Sequence, residues 1–365
     1  MQYNARRWRV IDTGLRRAAE NMAINQAMLE AHKEGLIPHT LRFLQFTPSA
    51  LLGYHQSAEQ ELDLDYCRQQ GIEIQRRITG GGAIYFDEAQ IGWELYIDKQ
   101  TLGTQDMSSI AQLVCEAAAL GMRRLGVDAR FRPRNDIEVD GRKISGTGGA
   151  ADGDSILYQG SLLVDFDVER MLRVLRVAAE KLSGKSIASA RERVANLKDL
   201  LGEAPTMTVV KSVMTQAFAQ AFGVVFDDAI DLTEIEVAKF HAALIEMDTP
   251  QWVHLIQRPR SEAPIVTSLY KCQGGLMRVA IAMDVVQRSI KQIWITGDIF
   301  VNPRRMVLDL EAALKDTPIA ELRTRIERFF DEYPVEMLKL TRRDFITAIE
   351  SALASSASAV PIAIG

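Results

Sequence analysis

The segment from Arg76 to Asp87 contains the residue types of an anion-binding turn. It reads RRITGGGAIYFD, so two arginines precede three consecutive glycines between two β-like runs. Glycine permits positive φ and lets a ligand approach the main chain closely, and successive N–H groups in such a turn can bind an anion. Neighbouring arginines add bidentate donors for carboxylate or phosphate. The spacing alone equally allows a tight hairpin with two surface arginines, and it matches neither a P-loop nor a dinucleotide fingerprint.

A second segment, residues 135–149, places a lysine between an acidic pair and another glycine-rich stretch. It reads NDIEVDGRKISGTGG, and its Asp-Gly pair predicts the turn of a β-hairpin. Strand alternation puts Lys143 on the face opposite Ile144. A lysine there could neutralise a phosphate or a developing oxyanion, while Asn135 and Asp136 offer oxygen ligands for Mg²⁺. A solvated surface lysine is the alternative that this pattern leaves open.

Two further segments give weaker signals. The run QGSLL at 159–163 has a glycine inside a strand-like sequence, which indicates a bulge or the close approach of another segment. The basic run KLSGKSIASARERVANL at 181–197 is typical of a solvated connector and by itself indicates no function.

The composition excludes several classes of protein. The chain has 365 residues and a net charge of −5, which argues against nucleic acid as its main ligand. No stretch approaches the roughly 18 apolar residues of a membrane span, and no two of the five histidines are spaced i, i+4 for a helical zinc site. Three distant cysteines exclude a disulfide scaffold and indicate a reducing compartment. We therefore expect a cytoplasmic protein with neither a nucleic-acid partner nor a membrane segment.

Hydrophobic periodicity predicts the elements that would position these segments. Helices are expected at 13–34, 107–125, 168–182, 207–222 and 231–247, with Asp12 or Thr13 capping the first. Strands are expected at 41–46, 72–77, 82–86, 91–97, 130–133, 136–139, 142–146 and 155–166.

The character of the sequence changes at a polar, proline-flanked linker, residues 259–264. Beyond it the pattern predicts strands followed by helices: strands at 266–272, 277–284 and 290–298, and helices at 306–315, 318–330 and 341–354. We expect an α/β (α+β) fold, with a mixed, largely antiparallel sheet flanked by helices and a smaller α+β unit. The expected boundaries are 1–256 for the main domain, 263–354 for the accessory domain and 355–365 for a tail.

Taken in order, these segments resemble the lipoate–protein ligase family, within the wider group of biotin and lipoate ligases and octanoyltransferases. The resemblance also includes NMAINQAMLEA in the first helix and LLGYHQ at 51–56. The C-terminal runs GGLMRVAIAMD and IKQIWITGDIF look like the accessory domain of that family. The glycine triplet after two arginines, followed downstream by KISG, is the most specific of these signals.

The resemblance implies an ATP-dependent reaction in two steps. Lipoate and Mg·ATP would form lipoyl-AMP and pyrophosphate, and the lipoyl group would then pass to a lysine of a lipoyl-carrier protein. The carrier would be an E2-type domain, a glycine-cleavage H-like protein or a similar acceptor. The large domain, 1–256, would be the catalytic domain, with a biotin/lipoate ligase-like fold.

The resemblance also assigns roles to residues of this sequence. Lys143 would be the catalytic residue, bridging the lipoate carbonyl and the α-phosphate, and Asp136 would contact Mg²⁺. Ile84 and Tyr85 would flank the adenine. The residues implied to contact substrate or nucleotide are Arg76, Gly80, Gly81, Gly82, Ala83, Ile84, Tyr85, Asn135, Asp136, Ser145, Gly146, Gly160 and Ser161.

Three positions depart from the pattern of the family. Phe86 stands where a histidine is common, Gln159 replaces another frequent histidine, and Thr147-Gly148-Gly149 replaces the usual Ser-Ala. These changes leave open the fine shape of the nucleotide site, the acceptor protein and the choice between lipoate and octanoate.

Two other functions remain as alternatives. The first is an octanoyl or lipoyl transferase between carrier proteins, a related class that uses a cysteine nucleophile and usually lacks an accessory domain. The second is a non-catalytic, ligase-like binding protein. A biotin ligase would show a Gly-Arg-Gly-Arg type of loop, which this sequence lacks.

Overall fold

The computed structural model describes residues 7–133, 135–176 and 191–357. The strands before residue 230 are β1 (Arg7–Arg16), β2 (Thr40–Phe46), β3 (Ser49–Leu52), β4 (Glu73–Arg76), β5 (Ile84–Phe86), β6 (Gln90–Asp98), β7 (Arg130–Arg132), β8 (Asp136–Val139), β9 (Arg142–Asp152), β10 (Ser155–Leu163) and β11 (Val225–Ala229). The helices before residue 254 are α1 (Ala18–Lys33), α2 (Ala58–Glu61), α3 (Leu64–Gln69), α4 (Lys99–Leu102), α5 (Met107–Arg124), α6 (Val168–Val174), α7 (Leu197–Leu201), α8 (Met207–Phe222), α9 (Glu234–Met247) and α10 (Pro250–Val253).

An eight-stranded sheet organises the first part of the chain. Its order is β11-β1-β2-β6-β10-β9-β8-β7, and every neighbouring pair is antiparallel except β11–β1 and β1–β2. A small sheet, β4-β3-β5, lies beside it. Helices α5 and α8 pack on one face of the large sheet, and α1 and α9 pack on the other. The predicted mixed, largely antiparallel sheet flanked by helices is confirmed.

The C-terminal unit has a hydrophobic core of its own. It contains a three-stranded meander, β12 (Ile265–Cys272), β13 (Gly275–Asp284) and β14 (Ser289–Gly297), and a short pair, β15 (Val301–Asn302) with β16 (Glu336–Met337). Its helices are α11 (Met306–Ala313), α12 (Leu322–Glu332) and α13 (Arg342–Ala357), with a 3₁₀ turn at Ile319–Glu321. Every residue of this core lies between positions 266 and 353. The packing is consistent with the predicted division near 259–264, which stays a prediction.

The first helix begins later than its sequence pattern predicts. Strand β1 continues to Arg16 because it pairs with β2, so α1 begins at Ala18 rather than at 13. Neither predicted cap is used: Asp12 accepts a hydrogen bond from the Gly14 amide, within β1. The Glu73 carboxylate, far along the chain, instead accepts from the amides of Ala18 and Ala19 at 2.9 and 3.1 Å.

Strand β9 is longer than predicted because its glycines continue the sheet. Instead of ending at 146, it runs to Asp152 and pairs with β10 along its second half. The hairpin turn lies at Asp140-Gly141, where both residues have positive φ, as an Asp-Gly hairpin predicts. The predicted helix 168–182 ends at Val174, because Leu175 is extended and forms a β-bridge with Leu62, and residues 177–182 lie outside the described residues.

No helix within the described ranges is long and apolar enough to cross a membrane.

Three of the segments predicted to be helical match closely: α5 begins at Met107, α8 spans Met207–Phe222, and α9 ends at Met247.

A buried ion pair joins the first strand to α9 and supports a prediction about stability. Arg9 donates to the Glu236 carboxylate at 2.8 Å, and the Glu236 side chain is fully buried. Glu236→Ala should lower the free energy of unfolding by about 3–5 kcal/mol, because it leaves the arginine buried without its partner. Urea unfolding at neutral pH measures this loss, and Glu234→Ala, at an exposed position in the same helical turn, is the control.

The same pair should contribute less stability in acid. Burial acts to raise the pKa of Glu236, but the hydrogen bond and charge of Arg9 hold that pKa below its ordinary value of 4.5. The stabilisation is therefore complete above the unfolded pKa and is lost as the pH falls through the folded one. An equal difference between wild type and Glu236→Ala at pH 7 and at pH 3 would contradict this account.

Candidate active site

A cavity of about 330 Å³ lies over the face of the large sheet that carries α1. Its floor crosses strands β2, β6, β10, β9 and β8, which are adjacent in the sheet. At the β2 end the lining is apolar, with Met22, Leu44, Phe46 and Phe86. At the β8–β9 end it is polar and charged, with Asn135, Asp136 and Lys143. Such a cavity suits a ligand with an apolar chain at one end and an anionic group at the other.

Glycines keep the floor open. A Cβ on Gly92 would lie 2.8 Å from the Leu44 side chain, and one on Gly160 would lie 2.3 Å from the Trp93 ring. A Cβ on Gly146 would lie 2.7 Å from the Lys143 Nζ atom. The glycine inside the QGSLL strand thus marks a close approach, as its position in a strand predicts.

The glycine triplet forms the opposite wall, and Arg77 holds its shape. The Arg77 guanidinium donates to the carbonyls of Gly80 and Gly82 at 3.2 and 2.8 Å and to that of Leu51 at 2.7 Å. Burial, followed by the charge of Arg76, lowers the pKa of Arg77 to about 10. The group therefore stays charged at neutral pH and fixes the direction of the glycine carbonyls.

Arg76 does not line the cavity. Its guanidinium is fully buried and donates to the backbone carbonyls of Gly53, Tyr54, Trp252 and Val253 at 2.7–3.1 Å. Burial lowers its pKa to about 10. The direct ligand contact implied by the resemblance has no support in this placement, because the donors of Arg76 point into the protein. The structure gives Arg76 a positioning role for the segment that leads into the glycines.

Lys143 reaches the polar end of the cavity from the hairpin. Ile144 is fully buried on one face of β9, and Lys143 projects to the other, as strand alternation predicts. The Lys143 Nζ atom lies 2.7 Å from Asp136 Oδ1, and Arg132 donates to Asp136 Oδ2 at 2.9 Å. Burial acts to raise the pKa of Asp136, but Lys143 and Arg132 hold it below its ordinary value. A charged triad thus stands beside the glycine-rich floor.

Most of the remaining predicted contacts also lie in the cavity lining. They are Gly80, Gly81, Gly82, Ala83, Ile84, Tyr85, Asn135, Gly146, Gly160 and Ser161. Ser161 accepts a hydrogen bond from the Gly146 amide at 3.3 Å, which joins β10 to β9 beneath Lys143. Ser145 is the exception: it is fully buried and outside the lining. The pairing of β9 with β8 shifts register between Lys143 and Ser145, which interrupts the alternation that would otherwise place Ser145 on the face of Lys143.

The Tyr85 phenol is almost completely buried in the cavity wall. Burial, followed by the neighbouring charge of Asp87, raises its pKa well above the ordinary value, so the phenol is neutral. The Arg170 guanidinium lies over the Tyr85 ring, 5.5 Å from its centre. The Tyr85 ring thus forms an apolar part of the cavity wall.

The C-terminal unit closes one side of the cavity. The Gly81 amide donates to the Ile299 carbonyl at 3.2 Å, and a Cβ on Gly81 would lie 2.7 Å from the Phe300 ring. The same ring abuts Gly148, where a Cβ would lie 2.8 Å away.

The lining residues that sequence reasoning missed include Arg77, Thr79, Glu94, Gln159, Asp298 and Phe300.

Different signals could have found some of the missed residues. Thr79 and Arg77 adjoin the glycine triplet, and Gln159 adjoins Gly160, so proximity to a motif would have included them. Glu94 and Phe300 have no such neighbours, because their positions depend on sheet pairing and on the packing of the two units.

The described residues contain no cluster of three or more histidine, cysteine, aspartate or glutamate side chains that could hold a metal ion. None of the cavity-lining residues is a cysteine. Cys115 is buried beside Thr147 and Tyr158, and burial raises its pKa to about 11. Cys67 is also buried, with a pKa raised to about 11 by burial. Both thiols are therefore protonated and poor nucleophiles near neutral pH.

Similar proteins carry names of two kinds. A Thermoplasma acidophilum protein named lipoate-protein ligase A subunit 1 is 31% identical over 230 residues, which cover 60% of this chain and 86% of that protein. A Kyrpidia tusciae protein named octanoyltransferase LipM is 29% identical over 240 residues, covering 59% of this chain and 87% of that one.

Solved structures show the same likeness. A bipartite lipoate protein ligase from Thermoplasma acidophilum, studied with its E2 lipoyl domain, is 28% identical with a TM-score of 0.61, covering 70% of this chain and 99% of that one. A lipoate-protein ligase A bound with ATP is 27% identical with a TM-score of 0.60, and the match covers 68% of this chain and 98% of that one. The lipoate complex of P. falciparum LipL1 shares the fold over 95% of this chain and 99% of its own, with a TM-score of 0.72 at 14% identity.

Residues 17–219 match the family described as the lipoyl protein ligase A/B catalytic domain, which is more than half of the chain. With the fold and the ordered motifs around the cavity, this match shows that the chain belongs to the lipoyl protein ligase A/B catalytic domain family.

Proposed function

We propose that this chain is an ATP-dependent lipoate–protein ligase that forms lipoyl-AMP and transfers the lipoyl group to a lysine of a lipoyl-carrier protein. The observation that carries the proposal is the cavity, with its apolar end over β2 and Lys143 at its polar end. The ligase relative and the ATP-bound ligase structure support ATP and lipoate as substrates.

In the first step the lipoate carboxylate attacks the α-phosphorus of ATP. A carboxylate oxygen–phosphorus bond forms, the bond to the β-phosphate oxygen breaks, and pyrophosphate leaves. Two anions must approach each other, so a fixed cation between them lowers the barrier. Lys143 is the lining cation that stands beside the floor glycine Gly146, where the carboxyl end of the acid would lie.

In the second step the amine of the carrier lysine attacks the lipoyl carbonyl. An amide bond forms, AMP leaves, and the amine loses a proton. Lys143 would stabilise the oxyanion that develops on the same carbonyl, so one side chain serves both steps. Tyr85 and Ile84 offer an apolar wall for the adenine.

Magnesium would enter with the nucleotide rather than occupy a protein cage. Mg²⁺ commonly binds through one or two carboxylates together with substrate phosphates. Asp136 fits as one such carboxylate because it lines the cavity, although both of its oxygens contact cationic side chains. The ion would supply positive charge to the phosphates, and Lys143 would then be released from Asp136 to contact the reacting groups.

The C-terminal unit would cover the cavity during the first step. Ile299 and Phe300 lie against the glycine wall and reduce the access of water to a reactive mixed anhydride. Ion pairs join the two units at Arg278–Glu61 and between Lys99 and Glu336. The carrier lysine needs this unit to move aside, so closure and opening would alternate with the two steps.

A transferase is the second candidate, because the relatives include octanoyltransferases. That class, as the resemblance describes it, needs a reactive cysteine and usually lacks an accessory domain. The thiols of Cys67 and Cys115 are buried with raised pKa values, and the half-buried Cys272 lies in the C-terminal unit outside the cavity lining. The chain also carries a C-terminal unit that contributes to the cavity. These observations favour the ligase. We place the reaction in the cytoplasm, with a carrier of E2 or glycine-cleavage H type as the acceptor.

Exchange of labelled pyrophosphate into ATP, in the presence of lipoate, tests the proposal directly. A ligase makes lipoyl-AMP reversibly and therefore supports the exchange, whereas a transferase or a binding protein does not. Mass measurement of a lipoyl domain after incubation with ATP and lipoate then tests the second step.

Lys143→Ala should reduce the exchange by about 10²–10³-fold, because it removes a charge that stabilises the transition state. Arg142→Ala is the matched control, since it removes a cation from the neighbouring position of the same strand outside the cavity lining. Exchange of wild-type rate in a folded Lys143→Ala protein would remove Lys143 from the mechanism.

Replacing all three cysteines with alanine should leave both half-reactions within a few-fold of wild type, because no acyl-cysteine forms. Cys115→Ala is expected to lower the melting temperature, since the thiol is fully buried. If one folded cysteine variant loses acyl transfer, the transferase is the better interpretation.

Phe300→Ala should slow adenylation and increase the release of lipoyl-AMP into solution, because it opens the contact with the two glycine segments. Transfer from preformed lipoyl-AMP should continue. Phe329→Ala, which alters the core of the C-terminal unit away from the cavity, is the control. Unchanged adenylation together with unchanged retention of lipoyl-AMP in Phe300→Ala would show that this contact does not cover the site.

A further inference from the structure

One wall of the cavity carries an acidic side chain among apolar neighbours. Glu94 lines the cavity, as the apolar Leu44 and Met22 do, and is 2% exposed. It lies on the same face of β6 as Gly92, because alternate residues of a strand share a face. Its charge is paired with Arg42, whose Nη1 atom lies 2.9 Å from Glu94 Oε2.

Only one oxygen of this carboxylate is engaged by the described residues. Oε2 accepts from Arg42 Nη1 at 2.9 Å and from the Tyr96 hydroxyl at 2.8 Å. Oε1 accepts no hydrogen bond from the described part of the chain, although Glu94 lies in the cavity wall. A hydrogen bond to this charged oxygen is stronger than one between neutral groups.

The surrounding side chains hold Glu94 in place. Arg42 is fully buried and also donates to Asn25 Oδ1 at 2.8 Å and to Thr13 Oγ1 at 2.9 Å. Asn25 donates to Gln159, and Gln159 donates to Thr79, at 3.0 and 3.1 Å. Gln159 and Thr79 line the cavity as well. The carboxylate is therefore part of a fixed polar network and cannot turn away from a ligand.

The distance from Lys143 to Glu94 matches the length of a medium-chain acid. The Lys143 Nζ atom lies over Gly146, two residues along β9 from Gly148. Gly148 pairs with Gln159 on β10, and Gln159 pairs with Glu94 on β6. Gly146 and Glu94 are therefore separated by two strand spacings and two residue steps. With about 4.8 Å per strand and 3.3 Å per residue, the separation is roughly 12 Å. An acid with its carboxylate at Lys143 would place the far part of its chain beside Glu94.

We propose that Glu94 selects an acyl substrate that carries a hydrogen-bond donor near the end distant from its carboxylate. A hydroxyl or thiol would satisfy Oε1, and the reduced, dithiol form of lipoate is one acid of this class. Octanoate and the cyclic disulfide form of lipoate have no donor there, so they leave Oε1 unpaired. The inference rests on the proposed use of the cavity for an acyl acid.

Titration calorimetry with free acids tests the inference without requiring catalysis. The probes are octanoate, ω-hydroxyoctanoate, lipoate and dihydrolipoate, the last under reducing, anaerobic conditions. Wild type should bind ω-hydroxyoctanoate at least about tenfold more tightly than octanoate, because a hydrogen bond to a charged group contributes that much binding energy. Dihydrolipoate should likewise bind more tightly than lipoate, by a smaller factor because a thiol is a weaker donor. Equal affinities within each pair would overturn the proposal.

Glu94→Gln should abolish the preference for the donor-bearing acids. Its amide oxygen would take the Arg42 hydrogen bond, so its NH₂ group would face the ligand and the wall would change from acceptor to donor. Glu116→Gln, at an exposed carboxylate on α5, is the control and should keep the preference. Glu94→Asp, which retains the charge but withdraws the oxygen, should show a reduced preference and serves if Glu94→Gln does not fold. An unchanged ratio of affinities in the folded variant would overturn the proposal.

The two proposals fail separately. A donor preference in binding, in a protein that supports no pyrophosphate exchange, would retain the role of Glu94 and reject the ligase. Exchange that proceeds equally well with octanoate and ω-hydroxyoctanoate, together with equal affinities, would retain the ligase and reject the role of Glu94.

Discussion

Close contact between three backbone segments is the constraint on which the cavity depends. A Cβ on Gly53 would lie 1.8 Å from the Gly81 carbonyl oxygen, and one on Gly80 would lie 2.2 Å from the Ile299 carbonyl oxygen. No side chain fits at either position, because the neighbouring atoms are main chain and cannot rotate away. The glycine triplet is therefore as much a contact surface between the two units as a wall of the cavity.

Two buried arginines supply positive charge to this wall. Arg76 and Arg77 donate mainly to neutral backbone carbonyls, so their charges are solvated but not cancelled by carboxylates. Their pKa values of about 10 keep both groups charged at neutral pH. A fixed positive potential beneath the glycines favours an anion in the cavity and needs no rearrangement when one binds. The arginines thus combine a structural task with an electrostatic one.

The features that the sequence predicted correctly depend on local patterns. The Asp140-Gly141 turn joins β8 to β9, and alternation places Lys143 on the face opposite Ile144. Helix α8 is bounded by Thr206 as a cap and by Gly223 in a left-handed conformation, both of which are local signals. The fold class and the family follow from several such patterns in order.

The features that could not be predicted depend on contacts between distant residues. Arg76 is buried because the carbonyls of Trp252 and Val253 return to it after more than 170 residues. The start of α1 is set by Glu73, and Phe300 reaches the cavity only because the C-terminal unit packs on the glycine wall. No local pattern encodes these neighbours, so a motif can identify a segment without showing which of its side chains reach the cavity.

The burial of Cys67 and Cys115 has a consequence for the redox chemistry of the protein. A substrate with a strained cyclic disulfide is itself an oxidant of thiolates, and attack by a protein thiolate would trap it as a mixed disulfide. Raised pKa values of about 11 and the absence of solvent contact keep both thiols protonated and inaccessible. The catalytic domain can therefore hold a sulfur-containing ligand in either oxidation state without exchanging electrons with it.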